Sequence, residues 1–445
     1  MASILTDSTY LQPDLIQEKS EIRKNNTIGE YFLNLLTIII LIKSTFGITV
    51  IFDLYTIPIQ CILFFIWVII ASFNDKSYFM KIIKDTYPML FFLMINISID
   101  LISRDTITEY LYDFILLEML YCIYLYYEKE HYSFKKLFLY IFIFEFFIVS
   151  YSSISLLKEN PYFIRDIGSG IVDIVDQYRG KIYGNFTYLY GLTFYSVYIF
   201  FILRNLKFRK KYLVVISLIT ALFLLISANF FIASLTAILS SLFFWITYQN
   251  NKFSLLKAFI FIVVLFFFKT LVAEFFLYLS ERQESNTLIA EKYGDIAGFL
   301  NQDGSSMQTD FRILLYTGSL GVFFEHPFTG VYSLDVATNY LIGGHSSFLD
   351  ALARFGLFRF LPFLFFLYTA SRKIYYNADE KCRYATIVGF SIFLLLQILN
   401  PIYSITVWFF LFILIPFSND VFIKADEENK DDNSKYIEKK DPIYE

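Results

Sequence analysis

Charge is scarce in this chain. Only 18 % of its 445 residues are Asp, Glu, Lys or Arg, against roughly a quarter in an ordinary soluble protein. That shortage, beside 57 % hydrophobic residues, excludes a soluble globule, which would leave too much apolar surface uncovered; the excess has to face lipid. Cysteine is nearly missing as well. Cys61, Cys122 and Cys382 are too few for a disulfide scaffold and lie in apolar segments or beside a basic loop, as packing residues do. No basic footprint of a nucleic-acid binder is present, so no nucleic acid is expected as a partner. The first 28 residues are polar and mixed in charge, without the short apolar core of a signal peptide, so the first membrane helix is expected to direct insertion itself. No internal repeat is visible. Histidine occurs three times, and each occurrence therefore carries information.

What is present is a series of apolar runs near the length of roughly 20 residues that a membrane-crossing helix needs. Twelve are expected: 30–52, 54–73, 86–103, 107–127, 137–157, 184–203, 212–228, 230–248, 257–279, 349–370, 384–400 and 403–418. If the N-terminus is inside, the short inside loops hold 17 Lys and Arg and the short outside connections five, as the positive-inside rule requires. Both termini are then cytoplasmic. The expected organisation is a cytoplasmic N-terminal segment (1–28), spans one to nine (29–279), a large extracytoplasmic loop (280–348) containing short helices, spans ten to twelve (349–418), and a charged tail (419–445). The end of that tail, "KADEENKDDNSKYIEKKDPIYE", lacks apolar residues for a core and is expected to be solvated and disordered. The fold class is all-α, a polytopic transmembrane helical bundle.

The stretch "GGHSSFLDALARFG", residues 343–356, holds one histidine behind two glycines and ahead of an apolar helix. Ser347 with Asp350 fits a capping box, so the helix is expected to start at Ser346 or Ser347. His345 then precedes the first turn, where unpaired N–H groups and the positive end of the helix dipole favour a neutral imidazole suited to general-base work. Gly343 and Gly344 allow the backbone to approach a bulky ligand.

"DFRILLYTGSLGVFFEHPFTGVYSL" (310–334) followed by "GGHSSFLDALARFGLF" (343–358) resembles the signature of the O-antigen ligase and Wzy-type polysaccharide polymerase superfamily, with Arg312, Pro327, Gly330, His345, Phe348, Leu349 and Gly356 in the matching places. The resemblance implies a GT-C-like membrane fold. It also implies transfer of a saccharide from undecaprenyl diphosphate to an acceptor hydroxyl, on the extracytoplasmic face of the bacterial cytoplasmic membrane, with no metal or other cofactor. His345 would act as base and Arg312 would hold the diphosphate, which guanidinium forks bind bidentately. Direct attack by the acceptor would invert the anomeric carbon. A flippase, chain-length regulator proteins and membrane lipid are the partners that such a polymerase implies.

"YRGKIYGNFTYLYG" (178–191) is similar to a second family segment but lacks its Pro-Asn; Arg179 or Lys181 would be a further diphosphate ligand, with Arg179 favoured. At the hairpin "SANFFIASLTA" (227–237), Asn229 stands where relatives carry Arg. Asp100, Asp113, Glu118, Glu145, Lys269, Glu274 and Arg359 are charges inside apolar runs, which are costly and tend to line cavities. Arg359, about 18 Å into its helix at about 1.5 Å per residue, could meet a lipid diphosphate. Arg354 fits either a ligand role or an intrahelical ion pair with Asp350. His326 reads as a surface or packing residue, His131 as unrelated to the site, and Arg165 and Arg179 also fit as partners of Asp166, Asp173 and Asp176 in their own loop. Two other readings fit the same residues: an O-antigen ligase handing the finished chain to lipid A-core, and a lipid-linked oligosaccharide flippase.

Overall fold

A computed structural model describes residues 29–42, 57–103, 109–128, 131–160, 163–168, 181–205, 211–228, 231–247, 271, 273–282, 290, 293–294, 297–298, 307–331, 342, 346–400 and 404–438. Among these no strand occurs. The helices are α1 (Gly29–Ile42), α2 (Ile57–Asn74), α3 (Tyr78–Ser103), α4 (Glu109–Tyr127), α5 (Tyr132–Glu159), the short α6 (Phe163–Gly168), α7 (Phe186–Asn205), α8 (Lys211–Ser227), α9 (Phe231–Thr247), α10 (Met307–Glu325), α11 (Ser347–Asn377) and α12 (Glu380–Leu399). Ile405–Phe409, a π-helical turn Phe410–Leu414 and Ile415–Glu438 follow without interruption as α13. Wherever a predicted apolar run falls on described residues, those residues are helical, apart from short stretches at some of its ends and a break at Gly356 within the run 349–370.

Six of these helices are long and apolar enough to cross a membrane: α3, α5, α7, α11, α12 and the first part of α13. Others, including α1, α8 and α9, are apolar but shorter. Burial sorts the long ones. In their most apolar stretches, 89 % of α13 and 72 % of α7 is buried, but only 39 % of α3 and of α5, so α13 and α7 form the axis and α3 and α5 the wall. The wall helices turn large apolar side chains outward, such as Met94 on α3 and Phe144 on α5, and α11 does the same with Phe358, which suits lipid rather than water. Inside, the many aromatics pack edge to face, as in the cluster of Phe92, Phe114 and Phe363 that joins α3, α4 and α11. At the axis the π-helical turn presses Phe410 onto α7 at Gly191, where a Cβ would lie 2.3 Å from the ring.

The two ends of the bundle differ in chemistry. At one end ion pairs join the loops that the sequence marks as basic. Glu128 meets Lys81 at 2.5 Å and Lys373 at 3.3 Å, Lys373 meets Asp85 at 2.5 Å, Lys381 meets Asp426 at 2.6 Å, and Lys135 pairs with Asp420. His131 belongs to this end, bonded to Glu30. The expected disordered tail is corrected here: α13 continues as helix to Glu438, and Asn419, Phe422 and Asp426 are buried. Its acidic residues answer Lys135 and Lys381, so charges that read as solvated in the sequence are tied to neighbouring helices.

Candidate functional site

The opposite end carries the motif residues. Helix α10 ends at Glu325, and the chain turns through Pro327–Gly330, with Gly330 at φ 64°. Helix α11 is broken nearby: Gly356 has φ 61° and ψ 179°, outside the helical region. The turn sits in that break. Leu357 N donates to Pro327 O at 2.8 Å and Phe358 N to Phe328 O at 3.0 Å, while Val331 N donates to Ala353 O at 3.2 Å. Amides and carbonyls that the break frees are thereby satisfied within the protein, as non-helical backbone inside an apolar bundle requires. Both glycines are needed. A Cβ on Gly330 would stand 2.3 Å from Arg354 O, and one on Gly356 2.5 Å from Gly330 N, and both φ values are ones that L side chains rarely adopt.

Arg359 closes the junction. Its Nε and Nη2 donate to Thr329 O at 3.1 and 2.8 Å, Nε also to Phe355 O at 3.1 Å, Nη2 also to Arg354 O, and Nη1 to Asn96 Oδ1 on α3 at 3.3 Å. The side chain is 5 % exposed. The guanidinium expected to meet a diphosphate thus spends these donors on the turn, on the first half of α11 and on α3. Arg354 is half-buried one turn after Asp350 and supplies one of the carbonyls.

Ser346 caps α11, its hydroxyl accepting from Leu349 N at 3.2 Å. Asp350 does not close a box with Ser347; it accepts from Ser319 Oγ on α10 at 2.7 Å instead. Ser347 N and Oγ both donate to Asn400 O, at 3.1 and 3.2 Å, and Tyr316 on α10 donates to Leu399 O at 3.0 Å. The beginning of α11 is therefore fastened to the end of α12 and, through Asp350, to α10. Position 345, immediately before the cap, lies outside the described residues, as does Arg179. Arg312 lies on α10 one turn before Tyr316, its side chain outside the described residues.

Lys181 is exposed at the start of the non-helical segment 181–185. α5 holds that segment through Ser152 Oγ to Ile182 O at 2.5 Å and Gly184 N to Ser153 Oγ at 2.8 Å. Asn185 then caps α7, accepting from Tyr188 N at 2.9 Å. Of the charges flagged in apolar runs, Arg359 and Glu118 are buried, Asp113 and Glu145 half-buried and Glu274 exposed. Asp100 lies in α3 with its side chain outside the described residues, and Lys269 lies outside them altogether. His326 is exposed at the end of α10.

The structure thus brings Pro327, Gly330 and Gly356 of the motif together with Arg354 and Arg359, which the sequence flagged separately. Sequence reasoning missed Asn96, Ser319 and Asn400. Asn96 and Asn400 carried a usable signal, because a polar amide in or beside an apolar helix needs an internal partner as a charge does. Thr329 acts through its main chain and carried none. Among the described residues no group of three or more His, Cys, Asp or Glu is placed to hold a metal ion. Comparison with known protein families, with curated proteins and with solved structures finds no match to this chain.

Proposed function

We propose that this protein is a membrane glycosyltransferase that polymerises undecaprenyl-diphosphate-linked oligosaccharide repeats into a surface polysaccharide, on the extracytoplasmic face of a bacterial cytoplasmic membrane. In this reading the chain crosses the membrane twelve times with both termini cytoplasmic, and residues 280–348 form a GT-C-like outer loop. The acceptor hydroxyl attacks the anomeric carbon, the bond to the diphosphate oxygen breaks, and His345 takes the hydroxyl proton. Arg312 and Arg179, aided by Lys181, hold the departing diphosphate, whose charge is what guanidinium forks recognise. Configuration inverts. Arg359 is assigned the positioning of the 327–330 turn, in place of contact with the lipid.

One observation carries the reading: the Pro327–Gly330 turn is seated in the break at Gly356, with Arg359 across it. The two halves of the motif meet in one place, and position 345 belongs to the chain between Gly330 and Gly356. Glycan analysis of a deletion strain complemented with wild type or with His345→Ala tests it. The polymerase reading expects the deletion and His345→Ala strains to cap single repeats, with long chains restored by wild type. Full-length chains stranded on the carrier lipid would make the protein a ligase, and unchanged long chains in the His345→Ala strain would remove the assignment.

A further inference from the structure

Glu118 on α4 and Glu128 just past the end of that helix meet opposite surroundings. Glu128 faces Lys81 and Lys373. Glu118 lies midway along α4, about 14 Å from either end; it is 6 % exposed, and neither carboxyl oxygen has a hydrogen-bond partner among the described residues. Thr86 on α3 stands near enough to act on the carboxyl. It is fully buried, and its hydroxyl has no partner among the described residues either. The other titratable side chains close enough to feel Glu118 are Tyr78 on α3 and Tyr121 and Cys122 on α4, all ordinarily neutral at pH 7. Of the remaining helices packed on α4, α2 offers Cys61, and the stretch Ile405–Leu414 of α13 holds nothing titratable. The cations nearby are committed elsewhere. Lys81 meets Glu128, Lys373 meets Asp85 and Glu128, Arg359 holds the 327–330 turn and Asn96, and Lys84 is exposed.

We infer that Glu118 is a proton-binding site, a carboxyl that stands as the neutral acid inside the closed bundle at neutral pH. An ionised carboxylate in an apolar interior, with neither a cation nor donors to answer it, is so costly that the group takes up a proton instead. A metal ion would also neutralise it, but a metal needs several ligands, and among the described residues no group of three or more His, Cys, Asp or Glu is placed to hold one. A proton needs no cavity. That suits two oxygens sealed by packed side chains, and it suits Thr86, because a carboxylic acid both gives and receives a hydrogen bond where a carboxylate only receives. The proton comes from water before the helices close and bonds to one carboxyl oxygen, taking the charge from −1 to zero. The contact between α3 and α4 therefore depends on a bound proton, independently of the glycosyltransferase reading.

The test is infrared difference spectroscopy of the full chain in dodecyl maltoside, a detergent without carbonyl groups. Wild type minus Glu118→Gln at pH 7 is expected to show the C=O stretch of a neutral carboxylic acid, which moves when the glutamate carbons carry a heavy isotope. Thr86→Val is expected to shift that band upward as its hydrogen-bond partner is lost. Glu118→Met, close in volume, repeats the subtraction should the amide disturb packing, and melting curves verify the folds. Melting also gives a second reading. Glu118 ionises above about 4.3 in the unfolded chain, so a proton kept in the fold makes wild-type stability fall as pH rises. The melting temperature of Glu118→Gln relative to wild type is therefore expected to climb from pH 5 to 8, the reverse of a carboxylate held by lysines such as Glu128. Carboxylate bands in place of the acid band, or a melting difference that stays constant with pH, overturn the site and leave Glu118 ionised.

Discussion

Arg359 reaches the main-chain carbonyl of Thr329 through two nitrogens at once, Nε at 3.1 Å and Nη2 at 2.8 Å. The same guanidinium holds two carbonyls from the first half of α11 and the amide of Asn96. A planar fork can do this and an ammonium cannot. We predict that Arg359→Lys destabilises the protein by about 2–3 kcal/mol, since buried carbonyls lose charge-assisted partners. Thermal melting of the purified chain checks it. Retained melting temperature with lost glycan synthesis would return Arg359 to the role of a lipid ligand.

Gly330 and Gly356 are the steric condition for the same junction. Alanine at either adds a positive-φ backbone penalty of about 1–3 kcal/mol and pushes a methyl into backbone at 2.3 or 2.5 Å. Each variant is expected to melt earlier and to be cut more readily by protease between residues 326 and 346. Gly321 supplies the control: it lies inside α10 with nothing within 4 Å of the place a Cβ would take, so Gly321→Ala is expected to stabilise by about 0.5–1 kcal/mol. Equal effects at all three positions would refute the junction as described.

The helices were legible because apolar runs of membrane length have few other solutions. The start of α11 was legible to within one residue, and it is Ser346 that caps because Asp350 is engaged by Ser319. What remained hidden shares one cause. Arg359 is bound mostly by main-chain carbonyls, which leave no mark on residue identity, and the fit between Gly330 and Gly356 depends on a contact between distant positions. The tail misled for a related reason: Asp426 looks solvated until Lys381 is brought beside it.

Glu128 shows how that ionic end responds to acid. Burial pushes its carboxyl upward, but the hydrogen bond from Lys81 and the charges of Lys373 and Lys81 outweigh burial and hold it below the usual range. A lowered folded value means stability that is present above the unfolded value, about 4.3 for glutamate, and is lost as pH falls through the folded one. Glu128→Gln is therefore expected to lower stability at neutral pH by about 1–2 kcal/mol, between exposed and buried pairs because both lysines are partly solvated. Melting followed from pH 7 to 3 should show the wild-type and variant curves converge at the acid end. A gap that persists to pH 3 would assign the loss to packing.

Asp350 places a carboxylate in the first turn of α11, five residues beyond position 345. The helix end itself favours a neutral imidazole, and the carboxylate opposes that field. If His345 is the base, activity requires its unprotonated form and falls as pH drops through its own value. Removing the negative charge lowers that value, so Asp350→Asn should move the acid limb of the pH profile downward. The size expected is about 0.5 pH unit, from a helix-end charge effect of about 0.3–1 kcal/mol. The asparagine oxygen can still accept from Ser319, whose bond measures 2.7 Å, so that link between α10 and α11 survives the substitution. Polymerisation in isolated membranes across pH 5 to 8 reads it out. An unmoved or upward-shifted limb, with synthesis at high pH intact, would mean that the titrating base is not at position 345.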